Sequence, residues 1–445
     1  MERRFAKRKQ EMLAECEVRP ELCAGMQARL SDFLAAFADC LHAPAQRVHA
    51  AEFCQGLLSK VERKNVESIA YQHDQGRRNL QHFIGTAQWD HAPLLDELCR
   101  QVACELGEPD GVLVIDPSAF PKQGKKSVGV ARQWCGRLGK VDNCQLGVYM
   151  AYVSRQEHAL CDFRLYLPES WTRDRKRCRA AGVPRSVKPQ TRHALALEMI
   201  LARRDCLPHA WVTADDEFGK VTHFRRDLHA HGECYLLAVP DSLTVRVLDS
   251  DALPRRGVNA FEVRPFARIS AVRDKLPAAD WQSVDVRDAE KGPLVVEVAV
   301  VPHVQTKGGG RTKFAERLVL IRYTDSGGSQ HTDAYFSNAA AETTVHEYAR
   351  VAGAERRVEE CFRRGKSEVG MADYEVQKWN GWHHHQTLSI IAAWFLVHET
   401  RAGKKIDPRD DSAAVPSNHR PTSARRLETD HSHLDCHART ASIAA

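Results

Sequence analysis

The spacing of apolar residues changes near residue 109, and this change most limits what the chain can fold into. Before it, segments such as "ELCAGMQARLSDFLAAFADCL" and "DHAPLLDELCRQVACELG" carry apolar residues every three or four positions, which is typical of amphipathic helices. After it, "GVLVID" (residues 111–116) is a short apolar run typical of a buried strand, and it ends on an acid. The sequence therefore predicts an all-helical region over residues 1–108, followed by a domain that contains a sheet.

Strand and helix patterns then follow one another. The strand patterns "NCQLGVYMAYVS" and "HALCDFRLYLP" precede a helix over residues 188–205, the strand "AWVTAD", a helix over residues 218–230 and the strand "CYLLAVP". Three successive strands and then alternating helices and strands predict a mixed α/β sheet. Two central strand patterns end in aspartate, at Asp116 and Asp215.

The pattern changes again near residue 242. Residues 242–338 alternate apolar and polar side chains in "LTVRVLD", "FEVRPFARIS", "PLVVEVAVVPHV" and "ERLVLIRYT", which are separated by turn residues. Helical patterns return over residues 339–400. We interpret residues 242–338 as a β-rich insertion in an α/β domain formed by residues 109–241 and 339–400. The polar, aperiodic residues 401–445 are predicted to be disordered.

Length and composition exclude several classes of protein. The chain has 445 residues, enough for two or three domains, and no run approaches the roughly 20 apolar residues that a membrane span needs. The basic segment "MERRFAKRKQEM" is not followed by the apolar region of a signal peptide, so we expect a cytoplasmic protein. The 14 cysteines lack zinc-type spacing, which favours reduced thiols.

The distribution of charge is more informative than the net charge of +6. Residues 171–204 contain ten Lys or Arg against two acids, and residues 117–143 contain six against one. Basic surface of this density favours a polyanion such as nucleic acid, although a solvated surface would look the same. The candidate DNA-binding residues are Lys122, Lys125, Lys126, Arg132, Arg173, Arg175, Lys176, Arg177, Arg357, Arg363 and Lys366.

Three acids are candidates for a metal site. Asp116 and Asp215 end predicted central strands, at the edge of a sheet where ligands bind, and Glu359 lies on a helix that returns to the domain after the insertion. Carboxylates gathered without compensation repel one another, and hard divalent cations resolve this repulsion. We therefore expect Mg²⁺ or Mn²⁺, as two ions that can activate water and stabilise the leaving oxygen of a phosphodiester.

Helical spacing distinguishes Glu359 from its neighbour in "RRVEECFRRGK" (residues 356–366). Glu359 falls at the edge of an apolar stripe and Glu360 falls opposite it, in solvent. The structural alternative is an ordinary ion pair between Glu359 and Arg363. A similar choice arises between Asp215 and Asp216, and we expect Asp216 to point to the opposite side. The predicted stripe consists of Val358, Cys361, Phe362, Gly365 and Val369.

Five blocks of sequence together resemble bacterial insertion-sequence transposases of the DDE superfamily, most closely the family 701-type. They are "VLVIDPSAFPKQGKKSVGVARQWCGRLGKVDNCQLGVYMAYVS", "LYLPESW", "AAGVP", "WVTADDEFGK" and "RRVEECFRRGKSEVGMADYEVQKWNGWHHH". The resemblance extends from about residue 54 to about residue 400. It implies an RNase H-like catalytic domain interrupted by the β-rich insertion. It also implies cut-and-paste transposition of double-stranded DNA by a nucleoid-associated homodimer whose N-terminal helices bind terminal repeats.

The resemblance also assigns residues. Asp116 matches the first catalytic aspartate, Asp215 the second and Glu359 the glutamate, and all three would bind metal. The spacing from Glu359 to Lys366 fits the helix signature of related transposases, which makes Lys366 a candidate contact to the DNA end. Ala352 and Glu355 stand where that signature has Tyr and Arg, and Arg357 is a candidate for the missing cation.

Two other functions share these features. An RNase H-like nuclease without strand transfer would use the same acids, and an inactive relative could bind DNA only. Residues 124–127, "GKKS", lack an earlier glycine that a phosphate-binding loop requires. The "HHH" of residues 383–385 begins a predicted helix, so its side chains should point apart and are not expected to bind metal. Trp379 and Trp382 are interpreted as core residues.

Overall fold

The computed structural model describes residues 25–73, 77–250, 264–289, 292–307, 314–325 and 327–406. Residues 1–24 of the predicted helical region and most of the predicted disordered tail therefore lie outside the described residues. Within the described part, the last helix continues to Ile406, beyond residue 401 where disorder was expected to begin. No helix in these ranges is long and apolar enough to cross a membrane.

The described residues before residue 107 form helices, as predicted. Their apolar faces share one core with the last helix of the chain, where the rings of Phe33 and Phe395 lie 5.2 Å apart. At the surface, Arg29 Nε donates a 2.8 Å hydrogen bond to Glu399. The helices are α1 (Met26–Ala38), α2 (Pro44–Leu57), α3 (Val66–Gln72), α4 (Arg77–Gly85) and α5 (Ala92–Leu106).

A mixed sheet follows these helices. β1 lies between β3, which is antiparallel to it, and β5, which is parallel to it, and β6 is parallel to β5. β3 is long enough to pair with β2 along its first half and with β4 along its second half. The strands are β1 (Val112–Pro121), β2 (Ala131–Cys135), β3 (Lys140–Val153), β4 (His158–Leu165), β5 (Trp211–Ala214) and β6 (Tyr235–Val239).

Short helices connect these strands. A side chain at Gly219 would place its Cβ 1.8 Å from the carbonyl oxygen of Ala238 in β6, so the turn after β5 can lie against the sheet only with glycine there. The predicted helix over residues 218–230 is in fact two helices, and the one over 188–205 is shorter. The helices are α6 (Glu169–Thr172), α7 (Arg175–Ala180), α8 (Arg192–Arg203), α9 (Asp216–Gly219) and α10 (Thr222–Ala230).

The β-rich residues after β6 extend the same sheet. β12 pairs with β6 in antiparallel register, so the described strands form one sheet of twelve. Residues 261–263 of the predicted strand "FEVRPFARIS" lie outside the described residues; in the rest only Ala267 and Arg268 form a strand, because a helix begins at Ile269. The elements are β7 (Thr244–Val247), β8 (Ala267–Arg268), α11 (Ile269–Arg273), β9 (Gln282–Ala289), β10 (Gly292–Thr306), β11 (Glu316–Thr324) and β12 (Gln330–Ser337).

Two long helices complete the described chain. α12 spans Val345–Ser367 and is capped by Thr344. The Thr344 side chain accepts a 3.2 Å hydrogen bond from the backbone N–H of Glu347. The predicted apolar stripe of α12 is confirmed for Val358, Cys361, Phe362 and Gly365, which are buried, whereas Val369 is buried but lies after the end of the helix. α13 (Trp379–Ile406) packs against the N-terminal helices.

Sequence patterns missed three strands, β2, β9 and β12. β2 carries alternating exposed and half-buried side chains, so it lacks the apolar run that marks a buried strand. The expectation that β1 ends at Asp116 was also wrong. β1 continues to Pro121 beside β3, and only its pairing with β5 stops at Ile115.

Candidate active site

The register of two parallel strands brings two acids together. Ile115 of β1 is paired with Ala214 of β5, and this is the last pair between the two strands. Asp116 and Asp215 are the next residue on each strand, so they lie side by side where β5 ends. This is the edge of an α/β sheet at which ligands bind.

Asp215 also begins helix α9. Its side chain accepts hydrogen bonds from the backbone N–H groups of Glu217, at 3.1 Å, and Phe218, at 3.4 Å. These bonds fix the direction of the carboxylate. Asp216 has no such role and is exposed, on the first turn of α9.

Helix α12 brings a third acid to the same place. Glu359, Asp116 and Asp215 all line one open cavity of about 1050 Å³, together with Asp216 and Glu217. The three predicted acids, which are 99 and 144 residues apart in the chain, therefore face one space. The expectation that Asp216 points to the opposite side from Asp215 was wrong, since both line this cavity.

The acids influence one another electrostatically. Burial, and then the charges of Asp215 and Glu359, raise the pKa of Asp116 to about 8. Burial, and then the charge of Glu217, raise the pKa of Asp215 to about 6, although its backbone hydrogen bonds oppose this shift. Perturbed carboxyls in a cavity are typical of functional sites.

A fourth acid, Glu355, lies one helical turn before Glu359. Burial, followed by the charges of Asp215 and Asp116, raises its pKa well above the usual range. Its Oε1 atom is buried and has no hydrogen-bond partner. Sequence analysis noted Glu355 only as a departure from the helix signature, because no local pattern shows which side chains it would face.

The exposure expected for the neighbouring glutamates was wrong. Glu359 is exposed, since the cavity it lines is open to solvent, whereas Glu360 is half-buried. Arg363 donates to Glu360 at 2.6 Å, so the ion pair considered for Glu359 is made by Glu360 instead. Helix α12 packs against β4 as well as β1, and the Glu360 side of the helix lies near His158 of β4.

The donor set fits a divalent cation in its chemistry. Oxygen ligands of this kind suit Mg²⁺ or Mn²⁺, and burial together with the charges of Asp215 and Glu359 raises the pKa of Asp116. The side chains are not arranged as a formed metal site, since no group of three His, Cys, Asp or Glu in the described ranges is placed to hold an ion. Glu359 is exposed and lines the same cavity as Asp116 and Asp215.

Two of the predicted DNA-binding residues, Arg363 and Lys366, line the cavity of the acids. Lys366 is half-buried, with its Nζ atom 5.2 Å from the ring of Phe362 and 5.8 Å from that of Phe120. Burial, together with the nearby charge of Arg137, lowers its pKa.

Three other predicted DNA-binding residues make contacts within the protein. Lys122 Nζ donates to the carbonyl of Tyr374 at 2.7 Å and lies over its ring, and burial lowers its pKa to about 8. Arg177 donates to the carbonyl of Lys125 at 2.8 Å. Arg357 donates to the carbonyl of Arg155 at 3.3 Å.

The remaining predicted DNA-binding residues are exposed and do not line the cavity. Arg173 forms an ion pair with Glu169, one turn earlier. Charge density along the chain therefore does not separate residues near the acids from residues elsewhere on the surface. These exposed residues are Lys125, Lys126, Arg132, Arg173, Arg175 and Lys176.

Sequence analysis missed other basic residues that do line the cavity, namely Arg137, Arg192 and Lys220. Arg192 donates to Glu217 at 2.7 Å. Arg137 lies in the turn between β2 and β3, beside Trp134, which also lines the cavity and is 59% exposed. Lys220 is the last residue of the block "WVTADDEFGK", and its place in that block was the signal in the sequence that could have identified it.

The three histidines of residues 383–385 point to different partners, as helical spacing predicted. His383 contacts the carbonyl oxygen of Trp379, and His385 contacts that of Gly370. His384 lies between the carbonyl oxygens of Ile84 and Trp89, and burial lowers its pKa to about 4. Trp382 is fully buried, in agreement with its interpretation as a core residue.

Comparison with known proteins identifies the family. The model of a family described as "DDE superfamily endonuclease" matches residues 36–293, which is more than half of the chain and includes Asp116 and Asp215. This chain belongs to that family, and the resemblance noted in the sequence is confirmed. Endonucleases of this superfamily generally use divalent metal ions.

Two individual proteins are similar to this chain. A protein of Microchaete diplosiphon, described as a probable transposase for insertion sequence element IS701, is 38% identical over 95 residues, which cover 20% of this chain and 23% of the relative. The match thus spans less than a quarter of that relative. The solved structure of the piggyBac transposase synaptic complex with hairpin DNA has a TM-score of 0.39 at 8% identity, covering 81% of this chain and 67% of that one.

Proposed function

We propose that this chain is a DNA transposase that cuts and joins the ends of an insertion sequence. The observation that carries the proposal is the meeting of Asp116, Asp215 and Glu359 in one cavity of a DDE superfamily endonuclease. The reactions would be hydrolysis of a phosphodiester and transfer of the new strand end to a target. A nuclease without strand transfer would use the same acids, and the test below distinguishes the two.

We also propose that residues 109–241 and 339–400 form an RNase H-like catalytic domain. The antiparallel strands β4, β3 and β1, followed by parallel β5 and β6 with helices between them, support this assignment. Residues 242–338 would then be an insertion that extends the catalytic sheet through β12. The helices of residues 1–108 are proposed to bind the terminal repeats.

Asp116, Asp215 and Glu359 would hold Mg²⁺ or Mn²⁺, as two ions. Divalent cations there would activate water for attack and stabilise the leaving oxygen. Asp215 is already oriented by the backbone of α9, whereas Glu359 must turn towards the aspartates. Because Asp215 is fixed in place and Glu359 is carried on a separate helix, we expect the site to close when the cation and DNA bind.

The cationic lining of the cavity would hold the DNA. Lys366, Arg137 and Lys220 lie beside the acids, where they can neutralise phosphates on either side of the bond to be cut. Phosphate contacts orient the duplex without reading its sequence. The proposed partners are therefore double-stranded DNA, at the terminal inverted repeats and at the target, and a second copy of this chain in the DNA complex. The proposed location is the cytoplasm, on the nucleoid.

The test compares Asp215→Asn with Asp216→Asn. The purified chain is incubated with Mg²⁺, a plasmid target and linear DNA that carries the regions flanking its gene, and nicked and joined products are separated on gels. Asp215→Asn should abolish cleavage and joining and leave DNA binding intact, because asparagine keeps the cap on α9 but not the charge. Asp216→Asn should retain most of the activity.

Each outcome has a distinct meaning. Cleavage without joined products from the unaltered chain would establish a nuclease instead of a transposase. DNA binding without any cleavage would establish an inactive DNA-binding protein. If Asp216→Asn abolished cleavage and Asp215→Asn did not, the assignment of the second aspartate would be wrong by one residue.

A further inference from the structure

We propose that a second cavity, separate from the cavity of the acids, binds the phosphate backbone of duplex DNA through three arginines. This arginine cavity has a volume of about 230 Å³ and is lined by Arg175, Arg179 and Arg185. The inference rests on the proposed function, because it takes DNA as the substrate. It adds Arg179 and Arg185 to the predicted DNA-binding residues and gives Arg175 a defined place among them.

The lining of the arginine cavity carries positive charge and no acid. Its other members are apolar or small, among them Leu167, Val183 and Val187. All three arginines are exposed, and none of them forms an ion pair in the part of the chain that the structure describes. A guanidinium can donate two parallel hydrogen bonds to phosphate oxygens, so this set of side chains fits phosphate groups.

The short helix α7 directs its arginines two ways. Arg177 faces the protein, where its guanidinium donates to the carbonyl of Lys125 at 2.8 Å and lies 3.8 Å from the centre of the Trp171 ring. Arg175 and Arg179 are four residues apart on one face of the helix, and both line the arginine cavity. Like charges at this spacing disfavour a helix, so the pair brings no structural benefit of its own.

The two acids nearest to α7 in the sequence are already engaged. Asp174 caps the helix by accepting a 2.9 Å hydrogen bond from the backbone N–H of Arg177. Glu169 forms an ion pair with Arg173. The guanidinium groups in the cavity are therefore left to bind an anion from outside the chain.

The arginine cavity continues towards the acids. It shares Leu167 and Val187 with a third cavity, of about 430 Å³. That cavity is also lined by Lys188, which is exposed, and by Gln190, and two residues later Arg192 lines the cavity of the acids. The loop before α8 and the first residue of that helix thus border all three cavities. A row of cations suits the regularly spaced phosphates of a duplex better than a single small anion.

The experiment measures binding of the full chain to duplex DNA by fluorescence anisotropy over a series of salt concentrations, in EDTA so that no cleavage occurs. The triple variant Arg175→Gln, Arg179→Gln and Arg185→Gln should reduce the slope of log affinity against log salt by roughly 2.7 units, at 0.9 unit for each lost phosphate contact. The loss should be the same for DNA that flanks the gene and for unrelated DNA, because phosphate contacts do not read sequence.

A conservative variant keeps the test independent of folding. Substitution of the same three arginines by lysine preserves the charges that displace counterions, so the slope should stay as it is in the unaltered chain. Thermal melts establish that each variant is folded.

The matched control removes the same net charge elsewhere. Arg268→Gln, Lys275→Gln and Lys307→Gln change three exposed cations around β8, which lies at the opposite end of the described sheet from β2. The slope of this control should match that of the unaltered chain.

The outcomes separate this inference from the proposed function. Equal slopes for the glutamine variant of the arginine cavity and the unaltered chain would overturn the inference and leave the proposed function standing. Equal losses in that variant and in the control would also overturn it, because net charge would then be the cause. If the unaltered chain bound no DNA, the proposed function would fail together with this inference.

Discussion

Asp116 shows how a single residue reflects the chemistry of its site. Its side chain is partly enclosed beside Asp215, and the raised pKa means that the folded protein disfavours its ionised form. The cost of ionising it is recovered only when a cation occupies the site. If Asp116 binds the cation as proposed, the residue that serves the site is unfavourable for the stability of the metal-free chain.

This cost predicts a dependence of stability on pH. The pKa of Asp116 rises from 3.8 in an unperturbed chain to about 8 in the fold, so between these values the folded state keeps a proton that the unfolded state releases. The contribution is fully present below about pH 4 and is lost as the pH rises towards 8. In EDTA, Asp116→Asn should therefore raise the melting temperature more at pH 8 than at pH 5.

Thermal melts at the two pH values check this expectation, with Asp205→Asn as the control. The side chain of Asp205 is 95% exposed and does not line the cavity, and its substitution should leave the pH dependence of the melting temperature as it is in the unaltered chain. Parallel curves for Asp116→Asn and the unaltered chain would show that Asp116 is not held in its protonated form.

At the scale of elements, sequence patterns missed β2, the first strand of the hairpin formed by β2 and β3, and this hairpin changes the candidate site most. Its tip, Gly136–Leu138, is a short 3₁₀ turn closed by Gly139 at φ +60°. Three large apolar side chains on it are exposed, Trp134, Leu138 and Val141. The hairpin therefore offers an aromatic ring and the cation Arg137 at the border of the acid cavity.

The hairpin is expected to contact DNA. Arg137→Gln should weaken binding of duplex DNA of any sequence and reduce the slope of log affinity against log salt by roughly 0.9 unit, the value for one lost phosphate contact. Trp134→Ala should weaken binding with little change of slope, because stacking on a base does not release counterions. Fluorescence anisotropy across a series of salt concentrations measures both effects.

Two comparisons make this test specific. Arg226→Gln on α10 removes an exposed arginine that does not line the cavity, and its slope should match that of the unaltered chain. A double substitution of Lys125 and Lys126 examines the other basic surface predicted from the sequence. If that pair changed the slope and Arg137 did not, the DNA would pass over the loop after β1 and not along the hairpin.

At the scale of the whole molecule, a buried ion pair joins the strands after residue 242 to the elements before it. Arg225 of α10 and Glu316 of β11 are both 0% exposed, and Arg225 Nε lies 2.7 Å from Glu316 Oε1. The hydroxyl of Tyr235 in β6 donates to the same oxygen at 2.7 Å. The three residues come from parts of the chain on both sides of residue 242, so these two parts share one interior.

Removing one partner of this pair should destabilise the protein strongly. Glu316→Gln leaves the Arg225 guanidinium buried without a counter-charge and is expected to cost about 3–5 kcal/mol. The measurement is the shift of the denaturation midpoint in urea. The apolar pair Arg225→Met with Glu316→Leu should recover most of the loss, because neither charge then remains buried.

The matched control for this prediction lies in the same β region. Glu297→Gln removes the partner of Arg322 in a pair that is partly exposed, and should cost no more than about 1 kcal/mol. A similar small effect for Glu316→Gln would show that the insertion opens independently of the catalytic sheet.

The sequence by itself determined the local elements and the chemistry of the main acids. Apolar periodicity marks a helix or strand wherever one face is buried and the other is not, and so it located α12, its buried stripe, β1 and β5. It failed for β2, which has no continuous apolar face, and for the division of the helix after Asp215. The pairing of Asp116 with Asp215 could be expected because parallel strands end at a common edge.

Only the tertiary structure decided which charged side chains reach the acids. Lys122 and Arg177, which are prominent in the basic segments, donate to backbone carbonyls elsewhere, whereas Arg137 and Lys220 reach the cavity. Glu355 and Glu360 project from different sides of α12, and the packing of this helix against β1 and β4 decides what each of them meets. Local sequence fixes which face of an element is apolar, but strand register and helix crossing decide which residues distant in the chain meet that face. Contacts between residues distant in the chain therefore depend on the packing of the whole molecule.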